Sequence, residues 1–542
     1  MKIKKVNIEN YKSFKGLFSI ELNENINILV GDNEAGKSTI LEAIHICLSG
    51  QLNGKYILNQ LSQYLFNNEV EKEYIKSLKT ASKLEPPYIS IEVFIAGDNL
   101  PFFEGDGNSE QKKECCITFK IEFDDQYKDE YLQLINTGKV STIPIEYYKI
   151  AWFSCARDAV TSRSIPIKSV LIDSSTTRFQ NGSDIYISRI IQNDLEEKER
   201  VDVSQAYRKL KETFMEEDSI SKINQKISQK ANISNKTVKI SVDLSTKDAW
   251  ETSLITYLDD VPFHQIGKGE QCIIKTNLAL GHKKAKESNL ILIEEPENHL
   301  SYSKLNQFIY NIESTCTDKQ IIISTHSSFV VNKLGIENLI LLHNKKTTSL
   351  KDLSIDTQDF FKKLPGYETL RMILCQKAIL VEGPSDELIF QKAYIERNQG
   401  KLPIQDGFDV ISVGLTFKRF LEIASKIEKD IAVITDNDKD FVKNITKKYI
   451  DYSSFPFIKI CADNRDELRT LEYQFTDANK GDLKKICNVV EINGEVYNSE
   501  EKIINYLVNN KTNWALKVFS SNIELSYPDY ILEAVKWCNE KK

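Results

Sequence analysis

Two groups of residues, separated by most of the chain, have the types and spacing of phosphate chemistry. The first is Gly31-Asp32-Asn33-Glu34-Ala35-Gly36-Lys37-Ser38-Thr39, which fits G-x-x-x-x-G-K-[ST]. The glycines allow backbone N–H groups to curl around phosphates, Lys37 reaches the terminal phosphates, and Ser38 can ligate magnesium. Gly31, Asn33, Gly36, Lys37, Ser38 and Thr39 are therefore candidate contacts for ATP. Far downstream, the apolar run Asn289-Leu290-Ile291-Leu292-Ile293 ends in Glu294-Glu295-Pro296-Glu297. Carboxylates at a strand end suit a magnesium ligand, here Glu294, and a base that orients water, here Glu295. His326, closing Ile321-Ile322-Ile323-Ser324-Thr325, is placed to contact a γ-phosphate.

The second group lies in the last third. The run Lys377-Ala378-Ile379-Leu380-Val381 delivers Glu382-Gly383-Pro384-Ser385-Asp386, and Ile431-Ala432-Val433-Ile434-Thr435 delivers Asp436-Asn437-Asp438. Like charges meeting at adjacent strand ends are costly unless a cation neutralises them, so magnesium or manganese is the expected occupant. Ser385 or Asp386 could alternatively do no more than cap the helix that follows. Asp440 belongs either to the metal cluster or to an exposed acidic turn, the second reading being preferred.

The elements that must position these residues follow from periodicity. Residues 2 to 30 alternate as strands up to Gly31, and TILEAIHICL is helical, so the phosphate loop joins a strand to a helix. YISIEVFIA, CCITFKIEF and IEYYKIAWF read as strands of an antiparallel lobe. A charged helical stretch interrupts them, as a solvated face or a dimerisation arm. The expected fold is α/β: a P-loop nucleotide-binding domain with a helical insertion, followed by a second α/β domain. The expected boundaries are 1–187 (ATPase, first part), 188–240 (helical insertion), 241–345 (ATPase, second part), 346–370 (linker) and 371–542 (acidic α/β domain).

The order of the first group resembles the RecF/SMC-like branch of ABC ATPases. In that branch a signature segment on one subunit caps the nucleotide of another. Gly267-Lys268-Gly269-Glu270-Gln271 stands at that position, with Gly269 the expected nucleotide contact. It departs from the family pattern at Gly267 (usually serine), Lys268 (usually glycine) and Glu294 (usually aspartate), which leaves nucleotide binding expected and hydrolysis open. Cross-subunit capping implies a homodimer, or a tetramer built from two dimers.

E-G-x-S-D followed by D-x-D resembles the Toprim domain, with Val413-Gly414 similar to its glycine-bearing second strand. Thr470-Leu471-Glu472 and Lys511, in KTNWAL, resemble the additional glutamate and late lysine of the OLD (overcoming lysogenization defect) branch of Toprim nucleases. The resemblance implies two divalent ions held by Glu382, Asp386, Asp436, Asp438 and Glu472, with Lys511 neutralising charge on the transition state. Glu295, Lys511, Glu382 and Asp436 are then the catalytic candidates, and DNA is the substrate. It further implies anti-phage defence, beside a helicase or beside a reverse transcriptase with its RNA–DNA product. A RecF/SMC-like repair ATPase, or a nucleotide-sensing scaffold with a silent nuclease, would share parts of this pattern.

Composition bounds these readings. At 542 residues, 41% hydrophobic and 27% charged, the chain fits two to four soluble domains. No apolar run approaches the roughly 18 to 20 residues of a membrane span. MKIKKVNIENYKSF has no apolar core behind its basic residues, so no secretory leader and a cytoplasmic location are expected. The 10 cysteines show no zinc-site spacing and read as reduced core thiols. A net charge of -7 argues against a uniformly basic DNA-coating protein.

Overall fold

The computed structural model describes residues 1–541 apart from 54, 81, 99, 163, 174–178, 181–182, 185–194, 231–238, 242–255, 282–287, 316–317 and 344. It separates into two compact units, residues 1–326 with 340–347, and residues 327–339 with 348–542.

Two large sheets organise the described residues of the first unit. One is antiparallel and builds outward from Lys2–Glu9, which pairs with Leu17–Glu21 on one side and Ile89–Ala96 on the other. Glu114–Phe123 and Tyr148–Ser154 extend it, so all three predicted β-runs of this lobe are strands. The other sheet has the order Ser169–Asp173, Leu290–Glu294, Gln320–Ser324, Ile26–Gly31, Leu339–His343, Lys346–Ser349, and its first four strands are parallel. These strands read as continuous apolar runs because both faces are covered. The helix Lys37–Ser49 covers one face, burying Ile40, Leu41, Ile44 and Leu48.

Where the charged insertion was expected, helices span Glu197–Glu216 and Asp218–Lys230; the remainder of 188–240 lies largely outside the described residues. The first has no buried residue, and Glu196 with Glu199 closes a capping box at its start.

Two expectations are corrected. Cys116 and Cys155 are joined in a disulfide with Cα atoms 5.3 Å apart, so not all thiols are free. The cause is strand pairing: Cys155 follows the strand that lies against Glu114–Phe123, and its N–H donates to Cys116 O. The segment 346–370 is not an irregular linker, for it holds the strand Lys346–Ser349 and the helix Ile355–Lys363. Ser354 accepts from Thr357 N at that helix start, and Phe361 is fully buried; a one-face contact that short leaves too few apolar positions to register as periodicity.

The second unit is built on a parallel four-stranded sheet, ordered Phe408–Ser412, Lys377–Val381, Ile431–Ile434, Ile458–Cys461. Helices Pro384–Arg397, Leu471–Ala478, Glu500–Ser520 and Asp529–Glu540 share its core through Phe390, Phe475, Trp514 and Ile531. No helix among the described residues is long and apolar enough to cross a membrane.

Candidate functional site

In the first unit the parallel register brings the sequence-predicted residues to one edge. Glu294 pairs with Ser324, and Ser324 with Leu29, so the ends of three adjacent strands carry Glu294–Glu295, Thr325–His326 and the phosphate loop. This carboxyl edge of a parallel sheet is where ligands bind in open α/β folds. Gly36 has φ of 96° and precedes the helix Lys37–Ser49; a Cβ there would lie 2.6 Å from the Phe14 ring, so only glycine fits.

The Lys37 side chain is buried and folded back on its own loop. Its Nζ donates to Gly31 O at 2.8 Å and Asp32 O at 3.1 Å. Burial lowers its pKa, opposed by the charges of Glu295 and Asp32. Ser38 and Asn33 are exposed at the loop. Thr39 instead faces inward, its hydroxyl 3.2 Å from that of Ser13.

Glu295 sits at φ of 42°, its N–H donating to Ser324 O and its Oε2 accepting from Asn298 Nδ2 at 2.7 Å. His326 Nε2 lies 3.7 Å from Glu295 Oε1. Glu297, which the sequence reading passed over, is the most enclosed carboxylate here. Its Oε1 accepts from the Thr325 hydroxyl and from His326 N, Oε2 is buried without a donor among the described residues, and burial raises its pKa.

The segment around Gly269 opens the helix Lys268–Gly281 and meets the loop after Glu295 within the same unit. A Cβ on Gly269 would lie 2.4 Å from His299 O, whereas one on Gly267 would meet nothing.

In the second unit Glu382 follows the strand Lys377–Val381 directly and Asp436 ends two residues past the adjacent strand Ile431–Ile434. Glu382 Oε1 accepts from the Thr435 hydroxyl at 2.6 Å and from Asp436 N at 3.1 Å, tying the two strand ends together. Asp386, buried, accepts from Gly383 N at 3.1 Å and so does cap its helix as the alternative reading had it. Glu472, also buried, accepts from the Thr470 hydroxyl.

Electrostatics shows that these carboxyls nevertheless face one another. Asp386 is pushed up to about 7 by burial and then by the charge of Glu382. Asp436 is raised further by burial and by Asp386, Glu382 and Glu472 together. Asp436 Oδ1 is buried with no hydrogen-bond donor among the described residues. Acceptor-only groups in mutual repulsion, one with an orphaned oxygen, fit a divalent cation by donor chemistry. Among the described residues no three acidic, histidine or cysteine side chains stand in a ligating arrangement. The hydrogen bonds just named explain this, because Glu382, Asp386 and Glu472 each turn an oxygen toward a local donor.

Asp438 is exposed beside this cluster, with its N–H donating to Arg469 O. Lys511 is exposed at a break in the helix Glu500–Ser520, and no ion pair joins it to these carboxylates among the described residues. Its helix does pack on that of Glu472, through Trp514 against Phe475 at a ring separation of 5.0 Å.

Three contributors were missed in the sequence. Asn437 donates to the carbonyls of Asp463 and Arg465 and so shapes the acidic loop. Arg469 stacks over the Tyr473 ring. Tyr530 is buried, its hydroxyl without a partner among the described residues, and feels the charges of Asp436 and Asp386 after the effect of burial. A short polar residue between two aspartates was the only advance signal, and it pointed to Asn437 alone.

Comparison with known proteins finds family matches along much of the chain. The family described as Overcoming lysogenization defect protein-like, TOPRIM domain matches residues 373–438. An AAA domain family matches residues 5–251, and a second AAA domain family matches 254–332. Endonuclease GajA of Bacillus cereus (strain HuB5-5) is 20% identical over 87% of this chain and 80% of its own length. DNA replication and repair protein RecF of Clostridium beijerinckii is 49% identical over 47 residues, so that the chain spans 12% of that relative's length. A solved SMC head domain from Thermotoga maritima overlays 64% of this chain and 97% of its own, at 13% identity and a TM-score of 0.30. The chain therefore joins an AAA-type ATPase domain to an OLD-like TOPRIM domain, within the α/β class expected.

Proposed function

We propose that this chain is an ATP-binding, divalent-metal-dependent DNA endonuclease whose nucleotide site controls the nuclease. The observation that carries the reading is the acidic cluster of the second unit, where Asp386 and Asp436 resist ionisation and Asp436 Oδ1 has no donor. Repulsion of that kind weakens the fold, which makes it a feature of sites that bind cations. The match to an OLD-like TOPRIM domain and the likeness to an endonuclease support it.

In this reading Glu382, Asp386, Asp436, Asp438 and Glu472 hold magnesium or manganese. When bound, the ions supply an activated water and charge neutralisation at the scissile phosphate. Lys511 approaches the phosphate only with substrate in place and neutralises its developing charge. Nucleotide at Lys37, Ser38 and Glu294 acts as a gate, since phosphodiester hydrolysis itself needs no ATP. Gly269 and its helix end complete the nucleotide site of a second copy, giving a homodimer or a pair of dimers. By the resemblance to OLD proteins the setting is anti-phage defence, with a helicase or a reverse transcriptase and its RNA–DNA product as partner classes.

The test is incubation of plasmid with the full chain and manganese, with and without ATP, alongside Asp436→Ala and Glu382→Ala. Cutting that both variants abolish supports the site, and cutting that neither affects refutes it. A second reading, a nucleotide-responsive scaffold with a silent nuclease, draws on there being no ligating triad among the described residues. It is selected if the parent never cuts yet binds ATP.

A further inference from the structure

Four residues after Asp438 the chain enters a π-helical turn, Val442–Lys447, an uncommon geometry that often marks functional segments. Lys443 and Lys447 lie within it four residues apart, Lys439 stands in the turn before it at φ of 71°, and all three are exposed. Four-residue spacing brings Lys443 and Lys447 to the same side of the coil, with Lys439 at its entry. The segment is fixed to the acidic loop rather than loosely appended. Asn444 Nδ2 donates to Asn437 O at 3.0 Å, Asp440 Oδ1 accepts from Lys443 N at 2.9 Å, and Asp466 Oδ1 accepts from Phe441 N at 2.8 Å.

Those contacts also engage the neighbouring carboxylates with backbone donors. None of the three lysine ammonium groups has a hydrogen bond or an ion pair among the described residues, although surface lysines such as Lys363 and Lys480 do pair with carboxylates. Tyr452 Oη donates to Lys418 O at 3.2 Å, which brings the exposed Lys418 alongside the same segment.

We infer that Lys439, Lys443 and Lys447 form a phosphate-binding rail that carries a DNA strand to the acidic cluster. The inference rests on the nuclease reading for its purpose but on the arrangement of lysines for its existence. Charge complementarity selects the occupant. A phosphodiester approaching Glu382, Asp386, Asp436 and Asp438 meets repulsion, and cations fixed to the loop that carries two of those carboxylates offset it along the backbone on either side of the bond to be cut. Lysine ammonium groups act as point charges without base-reading geometry, so the contact is independent of sequence.

The experiment measures binding of the full chain to a fluorescent DNA duplex in EDTA, where no cutting occurs, over a range of salt concentrations. Two triple variants are compared with the parent: Lys439→Gln/Lys443→Gln/Lys447→Gln, and the charge-matched control Lys426→Gln/Lys484→Gln/Lys485→Gln at exposed positions elsewhere in the same unit. The rail predicts that the first variant binds at least about tenfold more weakly and that its slope of log affinity against log salt is shallower by roughly 2 to 3, near 0.9 for each lost phosphate contact. The control keeps the parent's slope. An unchanged first variant, equal losses in both variants, or a parent that binds no duplex at any salt overturns the inference. Plasmid cutting by the parent in manganese is read separately: a parent that binds through the rail but never cuts removes the nuclease reading and leaves the rail.

Discussion

The two candidate sites solve opposite problems of charge. In the first unit a single buried cation, Lys37, is already satisfied by the carbonyls of Gly31 and Asp32. In the second, carboxyls crowd together, burial and mutual repulsion push Asp386 and Asp436 toward their protonated forms, and Asp436 Oδ1 is left over. An anion arriving at the first site replaces carbonyl partners that Lys37 already has. A cation arriving at the second replaces protons and removes a standing repulsion. The acidic site should therefore be the one whose stability, as well as activity, depends on its ligand.

The sharpest way to break this contrast is Asp436→Asn. If the crowding serves a metal, metal-dependent DNA cutting falls by at least about 10²-fold, the scale of removing one preorganised electrostatic group. The metal-free protein should meanwhile melt higher than the parent, because a repelling carboxyl is gone. Nuclease assays and calorimetry in EDTA read the two halves separately; loss of activity with a lower melting temperature would mean that Asp436 is structural. The counterpart in the first unit is Lys37→Ala, for which ATP binding by fluorescence titration should weaken about 10- to 100-fold, as for loss of one charged hydrogen bond. Its melting temperature without nucleotide should barely move, since a desolvated ammonium is lost with its carbonyl bonds.

A pH series sharpens the comparison further. The Asp386 carboxyl stands at about 7 in the folded chain against an ordinary value of 3.8, and Asp436 is shifted the same way. Between those values the folded state binds more protons than the unfolded state, so stability falls as pH rises through that window and stays low above it. Melting of the metal-free protein should drop by several degrees between about pH 4 and pH 8, and magnesium or manganese should restore it by binding the folded state. A transition that rises over the same range would show that the carboxyls do not repel one another.

How much of this was legible beforehand differs between the sites for a physical reason. The phosphate loop is a contiguous backbone device, so Gly31, Gly36 and Lys37 could be read from spacing alone. Glu382 and Asp436 could be read too, because each closes an apolar strand. Glu297 and Tyr530 could not, since their environments are made by residues distant in sequence, Thr325 and His326 for the one and the acidic strand ends for the other, and Asn437 gave only its place between two aspartates. The Cys116–Cys155 disulfide escaped for the same reason, for strand pairing and not local spacing brings the two together. The helix Ile355–Lys363 was hidden because it buries only one narrow face.

The smallest effect concerns the segment expected to serve a neighbouring subunit. Gly269 touches His299 of its own unit so closely that a methyl group would stand 2.4 Å from a backbone oxygen, while Gly267, two residues earlier, faces open space. Gly269→Ala must shift either the start of the helix Lys268–Gly281 or the loop that follows Glu295, and both are backbone. Overpacking of that kind costs about 1–3 kcal/mol, a few degrees of melting for a unit of this size. Gly267→Ala should cost nothing measurable, so calorimetry on the pair is internally controlled. If the two variants behave alike, the helix start and the loop are not in contact, and the segment is free to face another copy. If only Gly269→Ala is destabilised, and ATP binding by Lys37 is preserved in it, then the same backbone contact holds the helix end and Glu295 in fixed register.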